Sequence, residues 1–324
     1  MRENREIVPV FFTTDEKYAP YLSVALTSLI ANTDPTSDTS YRVIVVHKDL
    51  SQQAQEIFRA MSTDKVAVEL YPMRDYMIQS INSDHNKLRA DYETLTIYFR
   101  LFLSEMFPDI DKAIYLDADT VTNVDIAQLY RIDLGDNFFA AVNDNFVAAG
   151  EETSYYTLNA LGIPSSEYVN SGVLLMNLKA MREAGFVDHF VKLLNAYHVE
   201  SIAADQDYLN VICRGRILML GYEWNTMMAD GTSGPEHPKI IHYNLFGKPW
   251  NYRDATNADY FWRYAEGSAY YPQLVEGVEN FTETDANSDA RKKAKLIAGA
   301  LRVPKNEVTF RKLEEEGVRV RLAG

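Results

Sequence analysis

The sequence predicts an α/β fold: a Rossmann-like, mostly parallel central sheet with flanking helices and a small basic C-terminal extension. Three observations predict it. Short apolar, β-branched runs alternate with segments of helical period, which is the pattern of successive βαβ units. Polar residues gather at the ends of those runs, where an open α/β sheet carries its ligand crevice. The tail reverses the charge of the body. From Arg291 onward stand 10 of the 32 Lys+Arg but only 4 of the 46 Asp+Glu, so the tail is +6 and the body -20.

Taken in order, residues 7–13 read as the first strand, although Pro9 cannot donate to a sheet ladder. Residues 18–31 carry Leu22, Leu26, Leu29 and Ile30 at helical spacing. Residues 41–47 and 66–71 are strands, with a helix over 51–61 between them. The polar stretch 75–91 reads as a loop over the sheet. Residues 94–107 predict a strongly apolar helix with one charge, Arg100, in its middle. A buried strand over 113–121 follows, carrying Asp117 and Asp119, then a helical turn over 125–130 and a strand over 138–142. Residues 148–166 have no clear period and read as a mobile active-site loop. Beyond Asn170-Ser171 comes a buried strand (172–178), then helices over 179–199 and 205–214. A strand over 239–243 contains His242, and 259–266 is a short aromatic helix. Residues 290–301 form a basic amphipathic helix, which either lies on an anionic membrane surface or docks on the acidic body.

With 324 residues, 47% hydrophobic and 24% charged, the chain suits a soluble globular protein with a sizeable core. We expect a main domain over 1–265 and an extension over 266–324. A formal net charge of -14 argues against nucleic acid as a partner. The single cysteine, Cys213, excludes an intramolecular disulfide and suits a reducing cytosol. The apolar run over 7–12 is too short for a signal sequence, and no run is long enough to span a bilayer. A cytoplasmic location is expected, with peripheral contact at the inner membrane face if the basic helix binds lipid.

Asp117 and Asp119 focus the functional reading. On an extended strand this spacing puts both on one side of the backbone. Two like charges so close raise each other's pKa unless something positive lies between them, and a divalent cation with oxygen ligands is the simplest such partner. Two solvated loop aspartates are the plainer alternative. Asp15, Asp144, Asn170 and His242 also sit at or just beyond strand ends, so one crevice could collect them all. Two carboxylates and an imidazole suit manganese, which accepts nitrogen more readily than magnesium does. A histidine after a strand, taken alone, is usually structural.

The ordered set Thr14-Asp15-x-x-Tyr18, Tyr98-x-Arg100-Leu101, Leu116-Asp117-x-Asp119, Asn170-Ser171-Gly172-Val173, Asp205-Gln206-Asp207 and His242-Tyr243 through Lys248-Pro249-Trp250 resembles glycosyltransferase family 8. That family includes bacterial lipopolysaccharide galactosyl- and glucosyltransferases and glycogenin. The resemblance covers about residues 7–265. It implies a GT-A fold, UDP-galactose or UDP-glucose as donor, and manganese (or magnesium) as cofactor. It further implies hexose transfer, with retention of configuration, to a saccharide or glycolipid hydroxyl.

Carried onto matching positions, the resemblance implies that Asp117, Asp119 and His242 hold the metal. Asp15 would bond the uracil edge and Tyr18 stack on the ring, with Thr14, Ala118 and Ser171 completing the donor contacts. Arg100 and Asn170 would reach the sugar, Asp205 its hydroxyls, and Gln206 would face the anomeric carbon. Lys248 would bond the β-phosphate, and Asp144 lies where acceptor contacts are expected. Each has a structural alternative: Arg100 paired with a carboxylate, Asn170 as a turn residue, Asp205 as a helix N-cap. Gln206 could be a solvated first-turn residue, Lys248 an exposed lysine and Asp144 a strand-end aspartate.

Two departures stand out. Leu245 occupies the position of the family's glycine, where Gly247 would take over the backbone donation, and Lys17 replaces an asparagine. Two rival readings exist. A haloacid-dehalogenase-like phosphatase would use Asp117 as nucleophile, but Gly135-Asp136 is followed by Ala140 where that motif needs an acid. A sugar-nucleotide binder or self-glycosylating priming protein would keep the donor site with little turnover.

Overall fold

The computed structural model describes residues 6–75, 77, 79, 95–227 and 234–322. Most of the loop expected over 75–91 lies outside the described residues. The strands are β1 (Ile7–Thr14), β2 (Ser40–His47), β3 (Val66–Pro72), β4 (Lys112–Asp117), β5 (Thr120–Thr122), β6 (Phe139–Ala141), β7 (Val173–Asn177), β8 (Ile217–Met219), β9 (Thr226–Met227) and β10 (Ile240–His242). Seven build one sheet in the order β3-β2-β1-β4-β7-β6-β8, and β5-β10-β9 form a second, small sheet. In the large sheet β7 runs antiparallel to both β4 and β6, and the other described pairs are parallel.

That one reversal positions the site. The C-terminal ends of β1, β4 and β6 lie at the same edge as the beginning of β7. Residues after Thr14, after Leu116, after Ala141 and before Val173 therefore meet there.

Both faces of the large sheet are covered, which is why its strands read as continuous apolar runs rather than alternating ones. Phe11, Ile44, Tyr115 and Leu174 pack into one core, and Phe12, Val45, Leu116 and Val173 into the other. Pro9 is tolerated because the ladder to β4 begins only at Val10.

Several expectations are corrected. Residues Leu95–Phe102 wind as a 3₁₀-helix, and a single α-turn (Leu103–Met106) follows, in place of one long α-helix. The side chain of Arg100 folds back here, its Nε donating to Ile97 O at 3.2 Å. The strand expected over 113–121 breaks at a turn, Ala118–Asp119, beyond which the chain enters the other sheet as β5. The segment read as a mobile loop is helical: Asn145–Ala149, Glu151–Tyr156 and a π-helical turn, Thr157–Leu161. The helix expected over 179–199 is two, Leu178–Glu183 and Phe186–Tyr197, parted by Gly185 at φ +68°.

The C-terminal residues pack on the body. Thr282 and Asp285 form a capping box that starts the helix Glu283–Arg302, which packs against Glu151–Tyr156. Ala300, Val303, Phe310, Leu313 and Val320 are buried in the same core as Tyr208, and the rings of Tyr208 and Phe310 meet edge to face at 5.0 Å. Arg302 pairs with Glu200. No helix among the described residues is long and apolar enough to cross a membrane.

Candidate active site

A cavity of about 360 Å³ opens at the sheet edge where these strand ends meet. Its wall contains Thr14, Asp15, Tyr18, Arg100, Asp117, Ala118, Asp119, Asp144, Asn170, Ser171, Asp205, Gln206, His242 and Lys248. Gly247 is beside it, at φ +69°, without lining it. Asp289, Lys292 and Leu296 of the helix Glu283–Arg302 complete the wall, and sequence reasoning did not place them there.

β4 delivers Asp117, and the turn after it aims Asp119 into the same space. The sharing of one side was expected from an extended strand, whereas a turn produces it. β10 pairs antiparallel with β5 so that His242 lies opposite Thr120, and Tyr243 N donates to Asp119 O at 2.9 Å. His242 Nε2 thus stands 3.2 Å from Asp119 Oδ1 and 3.6 Å from Asp117 Oδ2. One ligand atom from each of the three residues lies within 4.8 Å of the others. Asp117 is oriented through its other oxygen, Oδ1, which accepts from Tyr115 OH (2.7 Å) and Arg100 Nη2 (2.9 Å).

These residues fit a divalent cation. The donor set, two carboxylates and one imidazole, is chemically suitable. The backbone beside it is cut back to make room: a Cβ on Gly172 would sit 2.1 Å from His242 Cε1 and 2.7 Å from Asp117 Oδ2. Burial alone would raise the Asp119 carboxyl, but Lys248 and His242 pull it well below the usual carboxylate range.

Arg100 is buried between two acids. Besides Asp117 it pairs with Asp205, Nε to Oδ2 at 2.9 Å, and its Nη1 donates to Ser171 O at 2.7 Å. Burial pushes the Asp205 carboxyl up to about 6 despite this cation. Asp205 does not cap its helix, Ala204–Ile212, whose N-cap is Ala203.

Gln206 is held at both ends of its amide. Nε2 donates to Asp144 Oδ2 at 3.0 Å, and Oε1 accepts from Ser171 N (3.0 Å) and Asn170 Nδ2 (3.2 Å). Asp144 is itself committed: Oδ1 caps the helix Asn145–Ala149 by accepting from Val147 N, and Oδ2 also accepts from Asn170 Nδ2. It is buried, and its contacts are those of a residue that positions Gln206.

Lys248 Nζ rests on Asp119 Oδ2 at 2.7 Å and on Tyr243 O. Leu245, in the family's glycine position, keeps a left-handed backbone (φ +55°), so the loop retains the shape a glycine would allow. Asp15 Oδ1 accepts from Tyr18 N at 3.0 Å, and both residues line the cavity.

A doubly wound sheet with a strand-edge cavity, a clustered Asp-x-Asp and histidine, and an amide held beside them defines a GT-A glycosyltransferase. Residues 9–254 match the family described as glycosyl transferase family 8, and the chain belongs to that family. It is 30% identical over 223 residues to a putative glycosyltransferase of Haemophilus influenzae, covering 68% of this chain and 64% of that one. It is 27% identical over 261 residues to the lipopolysaccharide 1,2-glucosyltransferase of Escherichia coli, covering 76% of this chain and 73% of that one. Among solved structures, the galactosyltransferase LgtC with donor and acceptor sugar analogues superposes with a TM-score of 0.67 at 27% identity, over 81% of this chain and 96% of that one. The bifunctional glycosyltransferase WbbM shares the fold at a TM-score of 0.72 and 21% identity, over 86% of this chain and 52% of that one. Family membership displaces the phosphatase reading.

Proposed function

We propose that this chain is a retaining, manganese-dependent hexosyltransferase that moves galactose or glucose from a UDP-sugar to a saccharide or glycolipid hydroxyl. The observation that carries this reading is the convergence of Asp117, Asp119 and His242 on one wall of a cavity that also holds Lys248, Arg100 and Gln206. The main domain is taken as residues 1–265 and the extension as 266–324; because Asp289, Lys292 and Leu296 of the extension line the cavity, the extension would help to bound the acceptor.

Breaking the bond from the anomeric carbon to UDP leaves positive charge on the sugar and negative charge on the diphosphate. A cation on Asp117, Asp119 and His242 would supply Lewis-acid stabilisation of that diphosphate. Lys248 leaves Asp119 to bond the β-phosphate, adding a fixed positive charge where the leaving group develops its own. Asp15 and Tyr18 hold the base, and Arg100 and Asp205 orient the sugar hydroxyls. Gln206 presents its amide dipole to the anomeric carbon. Its Oε1 already accepts from Asn170 Nδ2 and from both the backbone N and the hydroxyl of Ser171, which weakens it as a nucleophile and favours attack by the acceptor hydroxyl from the face the leaving group departs. The hydroxyl proton leaves with the diphosphate. Arg291 and Lys295, exposed on the C-terminal helix, would give it the charge to meet an anionic membrane at the cytoplasmic face, where a glycolipid acceptor would be presented.

UDP release measured with UDP-galactose and UDP-glucose, with and without manganese, tests the proposal. Steady manganese-dependent release with one donor and a saccharide acceptor is expected. Binding without turnover would favour the priming-protein alternative, and release unaffected by metal would refute the metal role.

A further inference from the structure

We infer that Asn225 is a positioning residue that fixes the tautomer of His242 and ties the metal ligands to Gln206. This rests on the metal-dependent reading above. Asn225 is fully buried in the turn between the 3₁₀ segment Tyr222–Trp224 and β9. β9 runs parallel to β10, with Met227 opposite His242, so the Asn225 side chain reaches the inner nitrogen of the imidazole. Its Oδ1 lies 3.1 Å from His242 Nδ1, and its Nδ2 donates to Asn170 Oδ1 at 2.9 Å.

The direction of every bond in this chain follows from groups whose roles cannot change. Gly172 N–H can only donate, and it donates to Asn170 Oδ1 at 2.9 Å. The Asp144 carboxylate accepts from Asn170 Nδ2 at 3.0 Å. Asn170 therefore presents its oxygen to Asn225, which must answer with its NH₂ group. That leaves Asn225 Oδ1 facing the imidazole, so His242 Nδ1 carries the proton. With a cation held between Asp117 and Asp119, Nε2 turns its lone pair to that cation and the ring keeps its one N–H on Nδ1. The opposite tautomer would place a proton where the cation belongs.

The same network continues from Asn170 Nδ2 to Gln206 Oε1, so one set of polarised amides orients the metal ligand and the amide beside the sugar. An asparagine in a loop gives no motif signal, and its role appears only when β9 is placed beside β10.

The test uses the full chain with ¹⁵N-labelled histidine. In metal-free protein the His242 ring is expected to carry a proton on Nδ1 whether or not Nε2 also bears one; a ring protonated on Nε2 alone would overturn the inference. Manganese affinity is then measured by calorimetry for Asn225→Asp and Asn225→Leu. Aspartate still accepts from Nδ1–H but cannot donate to Asn170, so its affinity should stay within about threefold of wild type while turnover falls. Leucine should weaken manganese binding by about 10- to 100-fold. Leucine and wild type binding manganese equally well would overturn the inference. If Asn225→Leu does not fold, the wild-type tautomer and the aspartate variant still decide. If wild type binds no manganese, the metal-dependent reading fails, and the ring tautomer alone decides the role of Asn225.

Discussion

Gly172→Ala should damage the metal site without altering a ligand. An alanine Cβ there would lie 2.1 Å from His242 Cε1, 2.7 Å from its Nδ1 and 2.7 Å from Asp117 Oδ2. Ordinary contact begins at 3.4 Å, so the ring must retreat by about 1.3 Å. Neither partner yields easily. Asn225 holds the imidazole, and Gly172 O accepts from Asp117 N at 2.8 Å, which pins the glycine backbone to the end of β4. Overpacking of this kind costs about 1–3 kcal/mol of stability. Ligand atoms work only within about 0.5 Å of their productive positions, so manganese affinity should fall at least ~10-fold. Denaturant unfolding would give the first quantity and calorimetric titration of manganese the second. An alanine variant with wild-type stability and wild-type manganese affinity would refute the reasoning.

Three further outcomes follow from the site. Burial raises the Asp205 pKa from an unfolded value of about 3.9 to about 6. This group therefore favours folding fully below pH ~4, and that contribution is lost as pH rises through about 6. Asp205→Asn should gain on wild type in urea unfolding between those limits, and a pH-independent difference would contradict this. Leu245→Gly relieves a left-handed leucine worth ~1–2 kcal/mol, less the ~0.4–1 kcal/mol that glycine adds to unfolded-chain entropy, so thermal unfolding should show a net gain of about 0–1.6 kcal/mol. Gln206→Ala should keep weak UDP release, and complete loss in a folded variant would point to an obligatory nucleophile there.

Much of the frame was legible because its cause is local. The runs that became β1, β2, β4 and β7 are largely buried on both faces, so most residues in them are apolar. The Asp-x-Asp pair stood out for the opposite reason, charge directly after such a run. The helical segments over 145–161 were missed because their buried face is partly polar. Thr153, Tyr156, Thr157, Ala160 and Leu161 follow helical spacing, but two of the five are threonines. Thr153 Oγ1 satisfies itself on Val147 O at 2.9 Å, which lets a hydroxyl occupy a core position unseen by hydropathy. The setting of Arg100 could not be read, because the partners of its guanidinium, Asp117, Asp205 and Ser171, are all remote in sequence. β8 was missed for its length, three residues at a sheet edge. The cavity wall from the helix Glu283–Arg302 was hidden by its composition, which reads as a solvated basic face.

The most direct measurement is calorimetric titration of UDP into the full chain in the presence and absence of manganese, repeated with Asp119→Asn. Saturable binding that weakens at least ~10-fold without the metal, and equally in the variant, is the result expected of a nucleotide diphosphate held through Asp117, Asp119 and His242. Equal UDP affinity under all three conditions would contradict it.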